Sequence, residues 1–292
     1  MAQPADRLAG LSNLQKRTLS AAVLLPLVVA EVLLGHPYFD LLVAVFAGVM
    51  AWEWSRVCAR RRNPADAAPA ARLAPEAWLA PGAVSILTAL GAVLAAGFGQ
   101  GSLVVGAIVA GGSVLSGVLA LAHHRARAVW FAVGTVYVTL PALALLAIRA
   151  DPQYGEAMLF WTVAMVVAAD TGGYLVGRTV GGPKLAPRIS PNKTWSGLGG
   201  AVTGTVIIGL LTGFMLNHTN VLTLTLVSAG LGLIEQGGDL VESAFKRHFG
   251  VKDTSQIIPG HGGVLDRVDG LLAVALAVVI MNEWAGGSVL AW

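Results

Sequence analysis

Acidic side chains recur at helical spacing in two segments near the C-terminal end of the sequence. The segment "GGDLVESAFKRHFGVKD", residues 237–253, contains Asp239, Glu242, Ser243 and Lys246, and "PGHGGVLDRVDG", residues 259–270, contains Asp266 and Asp269. Residues three or four apart lie on one face of a helix. Carboxylates from two helices form an oxygen-rich site of the kind that Mg²⁺ occupies together with phosphate and water. The spacing therefore predicts a magnesium site.

Basic side chains are interleaved with these acids: Lys246, Arg247, Lys252 and Arg267. Metal ions and basic groups together neutralise the charge that develops during phosphoryl transfer. The alternative is that the acids are solvated and cap helix ends, where a carboxylate is favourable through the helix dipole alone. Four acids with cations among them favour the phosphoryl chemistry.

His261 has two open interpretations. It is flanked by Gly260, Gly262 and Gly263, whose backbone can approach a phosphate closely. The segment would then cradle a phosphate, or His261 would be a hydrogen-bonded structural histidine.

A second polar segment, "DTGGYLVGRTVGGPKLAPRISPNKTWSG", covers residues 170–197. Asp170 lies within or near the end of an apolar stretch, where an ionisable residue suggests function. Ser190, Lys193 and Thr194 offer two hydroxyls and an ammonium group to an anionic headgroup. Taken alone, this segment is better explained by the enrichment of basic residues in cytoplasmic loops.

These groups must be positioned by helices in a membrane. The sequence has 55% hydrophobic and 12% charged residues and a mean hydropathy of +0.71, whereas a soluble domain has about 25% charged residues. We predict an all-α, polytopic membrane protein, with aromatic residues such as Trp52, Trp54, Trp161 and Trp195 anchoring span ends at the interface. Nine segments are long enough to span: 18–35, 38–55, 77–97, 101–122, 128–149, 157–177, 197–216, 219–236 and 270–291.

The distribution of basic residues predicts the orientation. With the N-terminus in the cytoplasm, nine spans place every Lys and Arg except Arg149 on the cytoplasmic side. The chain then divides into N-terminal spans, 1–155, with a cytoplasmic linker near 56–76, and a catalytic region, 156–292, with cytoplasmic loops near 178–196 and 237–269. The net charge of +3 is too small to indicate nucleic-acid binding, and the single cysteine, Cys58, excludes an intramolecular disulfide.

The segment from Ser243 to Asp269 closely resembles the signature of the phosphatidate cytidylyltransferases. That signature reads S-x-x-K-R, then K-D, then P-x-H-G-G-x-x-D-R-x-D. It is matched here by Ser243, Lys246, Arg247, Lys252, Asp253, Pro259, His261, Gly262, Gly263, Asp266, Arg267 and Asp269. The segment "ISPNKTWSG" resembles a second family block, I-S-P-x-K-T-x-E-G, but has Ser196 in place of the glutamate; a helix cap is one role that serine could share.

The resemblance implies transfer of a cytidylyl group from CTP to phosphatidate, in a dimeric, Mg²⁺-dependent enzyme of the bacterial inner membrane whose active site faces the cytoplasm. It implies metal ligands at Asp239 and Asp266, with Asp269 nearby, and leaves a second metal ion open. The catalytic residues implied are Asp239, Lys246, Asp266, Arg267 and Asp269. The substrate-binding residues implied are Ser190, Lys193, Thr194, Ser243, Arg247, Lys252, Asp253, His261, Gly262 and Gly263.

Other functions remain open from the sequence. A transporter or channel would use Asp170, Asp239, Asp266 and Asp269 as an ion path, but such acids belong near the midplane of spans. A non-catalytic lipid-binding homologue, or an enzyme acting on a prenol or ether lipid, would share the same signature.

Overall fold

The computed structural model describes residues 26, 28–60, 75–216, 220–258 and 262–292. After a helical stretch at 28–34, eight long helices follow one another. They are α1 (Tyr38–Ala59), α2 (Pro75–Gly97), α3 (Ser102–His124), α4 (Ala128–Arg149), α5 (Gly155–Thr179), α6 (Trp195–Met215), α7 (Val221–His248) and α8 (Leu265–Ala285). Short 3₁₀ turns lie at Arg125–Arg127 and Val289–Ala291.

The all-α, polytopic prediction is confirmed. Among the described residues, eight helices are long and apolar enough to cross a membrane, and they coincide with the last eight predicted spans. Half of the first predicted span, 18–35, lies outside the described residues. The connection between α5 and α6 also contains an antiparallel hairpin, β1 (Lys184–Ala186) and β2 (Ser190–Thr194), which the sequence did not predict.

Helix α7 is longer than the span predicted at 219–236. It continues to His248, so the segment predicted as a loop at 237–269 is helical over its first third. The helix ends where Gly250 adopts a φ of +70°. Gly250 N–H then donates to Arg247 O, and Val251 N–H donates to Lys246 O, the two bonds of a Schellman cap. The extension carries the polar face of α7 into the protein instead of into solvent.

The ends of the long helices lie at two opposite ends of the helix bundle. At one end, Arg127 Nη1 donates to Cys58 O at 3.0 Å and joins the start of α4 to the end of α1. At the other end, Arg149 Nε donates to Val32 O at 2.8 Å. Successive long helices run in opposite directions, so every described Lys and Arg except Arg149 lies at the end that contains Arg127. We call this end of the helix bundle the basic end. This separation agrees with the charge pattern of the sequence.

Glycines bring α5 and α6 into backbone contact. A Cβ atom on Gly172 would lie 2.4 Å from Gly200 O, and one on Gly204 would lie 2.4 Å from Ala168 O. The Gly200–Gly204 spacing therefore serves packing within the chain.

Aromatic side chains join the N-terminal helices to α7. The ring of Trp54 stacks on Phe245 with a centroid distance of 3.6 Å, and the Trp54 indole donates to Trp130 O at 2.7 Å. The prediction that these tryptophans anchor the interface is wrong for Trp54 and Trp161, which are 3% and 2% exposed. Their rings fill the space between helices, whereas Trp195 is 58% exposed.

Candidate active site

Three carboxylates converge at the basic end, between α7 and α8. Oxygen atoms of Asp239, Glu242 and Asp269 all lie within 4.8 Å of one another. The two helices can approach this closely because glycine lies between them: a Cβ on Gly238 would be 2.7 Å from Ala273 Cβ, and one on Gly270 would be 2.7 Å from Glu235 Oε1. We call Asp239, Glu242 and Asp269 the carboxylate triad.

Two lysines flank the triad on opposite sides. Lys193, on β2, lies 2.6 Å from Asp239 Oδ2 and donates to Gln236 Oε1 at 2.9 Å. Lys246, on α7, forms an ion pair with Glu242 and a second one with Asp266 Oδ1 at 2.9 Å. The structure thus brings together predicted residues that are far apart in the sequence.

Asp266 lies outside the triad and holds the preceding loop. Its Oδ2 accepts hydrogen bonds from Gly263 N–H at 2.9 Å, Thr254 N–H at 2.9 Å and Thr254 Oγ1 at 3.1 Å, while Oδ1 pairs with Lys246. The side chain is buried. Both oxygens of this predicted metal ligand are therefore already occupied by donors from the protein.

Glu53, on α1, is a buried carboxylate that sequence reasoning missed. Its Oε1 accepts from Ser255 Oγ at 2.5 Å and Val264 N–H at 2.9 Å, and its Oε2 accepts from Leu265 N–H at 2.8 Å. The available signal was an acidic residue within a predicted span, a position that suggests function.

The glycines of the signature shape the loop before α8. Gly262 has a φ of +91°, and a Cβ on Gly263 would lie 2.1 Å from Thr254 Oγ1. Gly262 N–H donates to Ile258 O, and Gly263 N–H donates to Asp266, so neither amide is free for the predicted phosphate cradle. His261 lies outside the described residues.

The hairpin residues have distinct positions. Thr194 is buried and its Oγ1 accepts from Gly197 N–H at 3.1 Å, so it caps the start of α6. Ser196 donates to Gly181 O and does not cap the helix. Ser190 is half-buried on β2 and pairs with Ala186.

The remaining predicted residues lie around this centre. Ser243 Oγ donates to Asp239 Oδ1 at 3.1 Å, and Arg247 Nε donates to Ile189 O at 3.2 Å. The other side chains are exposed at the basic end: Lys252, Asp253, Arg267 and, on α5, Asp170. Asp170 interacts electrostatically with Asp239, Lys193 and Arg267.

The charge balance of the site suits a cation. Around the triad lie the further carboxylates of Asp170, Glu235 and Asp266, against the cations Lys193, Lys246 and Arg267. Among the described residues, Glu242 Oε1 is buried without a hydrogen-bond partner. Buried negative charge in excess of its partners is costly. Three carboxylates without histidine or cysteine match the ligands of a hard divalent ion such as Mg²⁺.

Comparison with known proteins assigns the chain to a family. The model of the cytidylyltransferase family matches residues 15–284. Proteins named phosphatidate cytidylyltransferase are similar in Brucella suis biovar 1, at 36% identity over 93% of this chain and 94% of the relative, and in Haemophilus influenzae, at 33% identity over 89% and 95%. A protein of the same name from Staphylococcus epidermidis is 45% identical over 41% of this chain and 46% of its own length. The protein is therefore a member of the cytidylyltransferase family.

Proposed function

We propose that this protein transfers the cytidylyl group of CTP to phosphatidate, which yields CDP-diacylglycerol and pyrophosphate. The observation that carries the proposal is the carboxylate triad with Lys193 and Lys246 on its two sides. Relatives named for this activity match nearly the whole chain. Acids at the midplane of several spans would have favoured ion transport, but the triad lies at one end of the helix bundle.

Asp239, Glu242 and Asp269 would hold Mg²⁺ in this enzyme. This proposal keeps Asp239 from the sequence-based ligand pair and replaces Asp266 by Glu242 and Asp269, because oxygens of these two acids and of Asp239 lie within 4.8 Å of one another. Asp266 instead accepts hydrogen bonds from two backbone amides of the loop. When bound, the ion would neutralise phosphate charge and act as a Lewis acid toward a phosphoryl oxygen. Asp170 and Glu235, which are further acids near Asp239, would be the ligands of a second ion.

The basic residues would bind the substrate phosphates. Lys193 and Lys246 are close enough to the triad to exchange a carboxylate partner for a phosphate oxygen, and Arg267 projects from the first turn of α8. An oxygen of the phosphatidate phosphate then attacks the α-phosphorus of CTP, and the bond from that phosphorus to the bridging oxygen of pyrophosphate breaks. Because a phosphate monoester is already anionic, the attack needs no strong general base. The residues act by positioning and by charge stabilisation.

In this proposal, both substrates would reach the protein from the same side of the membrane. With the basic end in the cytoplasm of a bacterial inner membrane, CTP would arrive from the aqueous phase and phosphatidate by lateral diffusion. A homodimer, as the resemblance implies, remains part of the proposal.

An activity assay tests the proposal. Purified protein in detergent should convert CTP labelled at the α-phosphorus and phosphatidate, with Mg²⁺, to a labelled lipid. Asp269→Asn should abolish most of this conversion, whereas Glu283→Gln, an exposed acid at the far end of the same helix, should leave it intact. Folded wild-type protein that labels a prenol or ether lipid phosphate but not phosphatidate would contradict the proposed acceptor.

The stereochemistry at phosphorus tests the direct route. Ser243 donates a hydrogen bond to Asp239, so a serine nucleophile with an adjacent carboxylate exists in the site. One displacement inverts the α-phosphorus and two displacements restore it, so we expect isotopically chiral CTP to give inverted product. Net retention, or label from CTP left on denatured protein without phosphatidate, would instead establish a covalent intermediate.

A further inference from the structure

Between α7 and α8, residues near the middle and at the end of the connecting segment donate hydrogen bonds to two buried carboxylates. One is Asp266, at the start of α8, and the other is Glu53, on α1. We call the described residues of this connection, 249–258 and 262–264, the signature loop. Asp266 belongs to the family signature, whereas Glu53 is about two hundred residues away in the sequence.

Glu53 also caps α8 from another helix. The first amides of a helix have no intrahelical acceptor, and the N-cap residue of α8, Val264, provides none through its side chain. Glu53 accepts from the amides of Val264 and Leu265 instead. A carboxylate at this position is further favoured by the dipole of α8.

Four successive contacts connect Glu53 to the triad. Thr254 Oγ1 lies 3.4 Å from Glu53 Oε2 and 3.1 Å from Asp266 Oδ2, so the two carboxylates share one hydroxyl. Asp266 pairs with Lys246, which pairs with Glu242. Asp269 lies one turn beyond Asp266 on α8, so its position depends on where α8 begins.

We infer that Glu53 is a positioning residue for the proposed cytidylyl transfer: it fixes the signature loop and the start of α8, and thereby places Asp269 in the triad. The inference rests on the proposed function. The oxygens of Glu53 are taken up by Ser255, Val264, Leu265 and Thr254, so Glu53 would act on the triad through these contacts. The N-terminal helices, whose sequence lies outside the signature, would thus contribute to catalysis.

The variant Glu53→Gln tests this role. Glutamine preserves the shape but presents an NH₂ group where the carboxylate accepts from backbone amides. We expect kcat to fall by about 10- to 100-fold, the cost of a site displaced by about 1 Å, and the Mg²⁺ concentration for half-maximal rate to rise. Ser55→Ala is the matched control, because Ser55 is buried on the same helix and its hydroxyl has no partner among the described residues. It should leave both quantities unchanged.

A purely structural role predicts a different result. Glu53→Gln would then reduce the amount of folded protein, while the surviving protein kept the wild-type kcat per folded molecule and the wild-type Mg²⁺ dependence; this outcome overturns the inference. If Glu53→Gln fails to fold, Ser255→Ala removes one contact of Glu53 without a charge change. It should shift kcat and the Mg²⁺ requirement in the same direction, and a wild-type profile would reject the role.

Hydrogen exchange separates this inference from the proposed function. The amides of Val264 and Leu265 should exchange faster in Glu53→Gln than in wild type, whatever reaction the protein catalyses. If wild-type protein makes no CDP-diacylglycerol, the proposed function fails, and faster exchange at these two amides would still support docking by Glu53. Unchanged exchange would show that Glu53 does not hold the helix start.

Discussion

Asp266 and Asp269 lie one turn apart on α8 and have different surroundings. Asp266 accepts hydrogen bonds from Gly263 and Thr254 and pairs with Lys246, so its charge is compensated within the protein. Asp269 faces Asp239 and Glu242, where negative charges meet. We therefore propose separate roles for two aspartates that look equivalent in the signature: Asp266 holds the loop, and Asp269 binds the cation.

This difference predicts that two amide substitutions change different properties of the protein. Asp269→Asn should raise the Mg²⁺ concentration for half-maximal activity and leave the melting temperature in detergent nearly unchanged, because it removes one of three mutually repelling charges. Asp266→Asn should lower the melting temperature, since breaking a buried ion pair costs about 3–5 kcal/mol. Thermal unfolding and Mg²⁺ titration of the two variants provide the measurement. A reversed pattern would restore Asp266 as the ligand.

The spacing of residues within one helix predicted part of this site. Contacts between residues far apart in the sequence could not be predicted. The i, i+4 relation on a helix was sufficient to predict that Asp239, Ser243 and Lys246 share a face. Glu53 could not be assigned a partner, because its acceptor contacts are made with a loop about two hundred residues later. The capping of α6 by Thr194 was also missed, because a hydroxyl before a helix can cap or bind a ligand, and the sequence does not show its contact with Gly197. Substrate binding by Thr194 stays a prediction.

At the scale of elements, small residues determine how closely the helices approach. The α5–α6 contact is made backbone to backbone through Gly172 and Gly200, and the α7–α8 contact through Gly238 and Gly270. In a membrane, where burial of apolar surface does not drive helix association, such close packing replaces it. Hydropathy predicted the eight described spans well. It did not predict where α7 ends, because the last three turns of α7 are polar and its limit is set by the cap at Gly250.

Gly200→Ala should separate α5 from α6. The added Cβ would lie 2.4 Å from Gly172 O, a backbone atom that cannot rotate away, and overpacking of this kind costs about 1–3 kcal/mol. Gly199→Ala is the control on the adjacent position, because a Cβ there has no atom within 4 Å and alanine favours helix by about 0.5–1 kcal/mol. Thermal unfolding in detergent should show a lower melting temperature for the first variant only. Equal melting temperatures of the two variants would mean that α5 and α6 can separate without loss of stability.

At the scale of the whole molecule, the basic residues and the candidate active site lie at the same end of the helix bundle. The hairpin, the signature loop and the basic residues of the described chain lie there, apart from Arg149 at the opposite end. The sequence predicted this separation from the count of spans and basic residues alone. The face of the membrane to which the basic end belongs stays a prediction.

Cysteine labelling tests that orientation. In a Cys58→Ser background, Lys184→Cys at the basic end should be shielded from an impermeant thiol reagent added to intact bacteria. Ser102→Cys, a near-isosteric change at an exposed position of the opposite end, should be labelled. Permeabilised cells should label both positions. Labelling of position 184 alone in intact cells would place the basic end outside.

The cap that Glu53 provides to α8 has a consequence for biogenesis. Glu53 is synthesised 212 residues before Leu265, which at about 5–20 residues per second is an interval of about 10–40 s. During this interval α1 enters the bilayer with a carboxylate whose partners do not yet exist, and charge within a span opposes insertion. The position of Glu53 near the end of α1 keeps the carboxylate within reach of headgroups and water until α8 arrives. An apolar residue at position 53 would ease the insertion of α1 but would leave α8 without its cap. Membrane insertion and the folded site therefore favour different residues at this position.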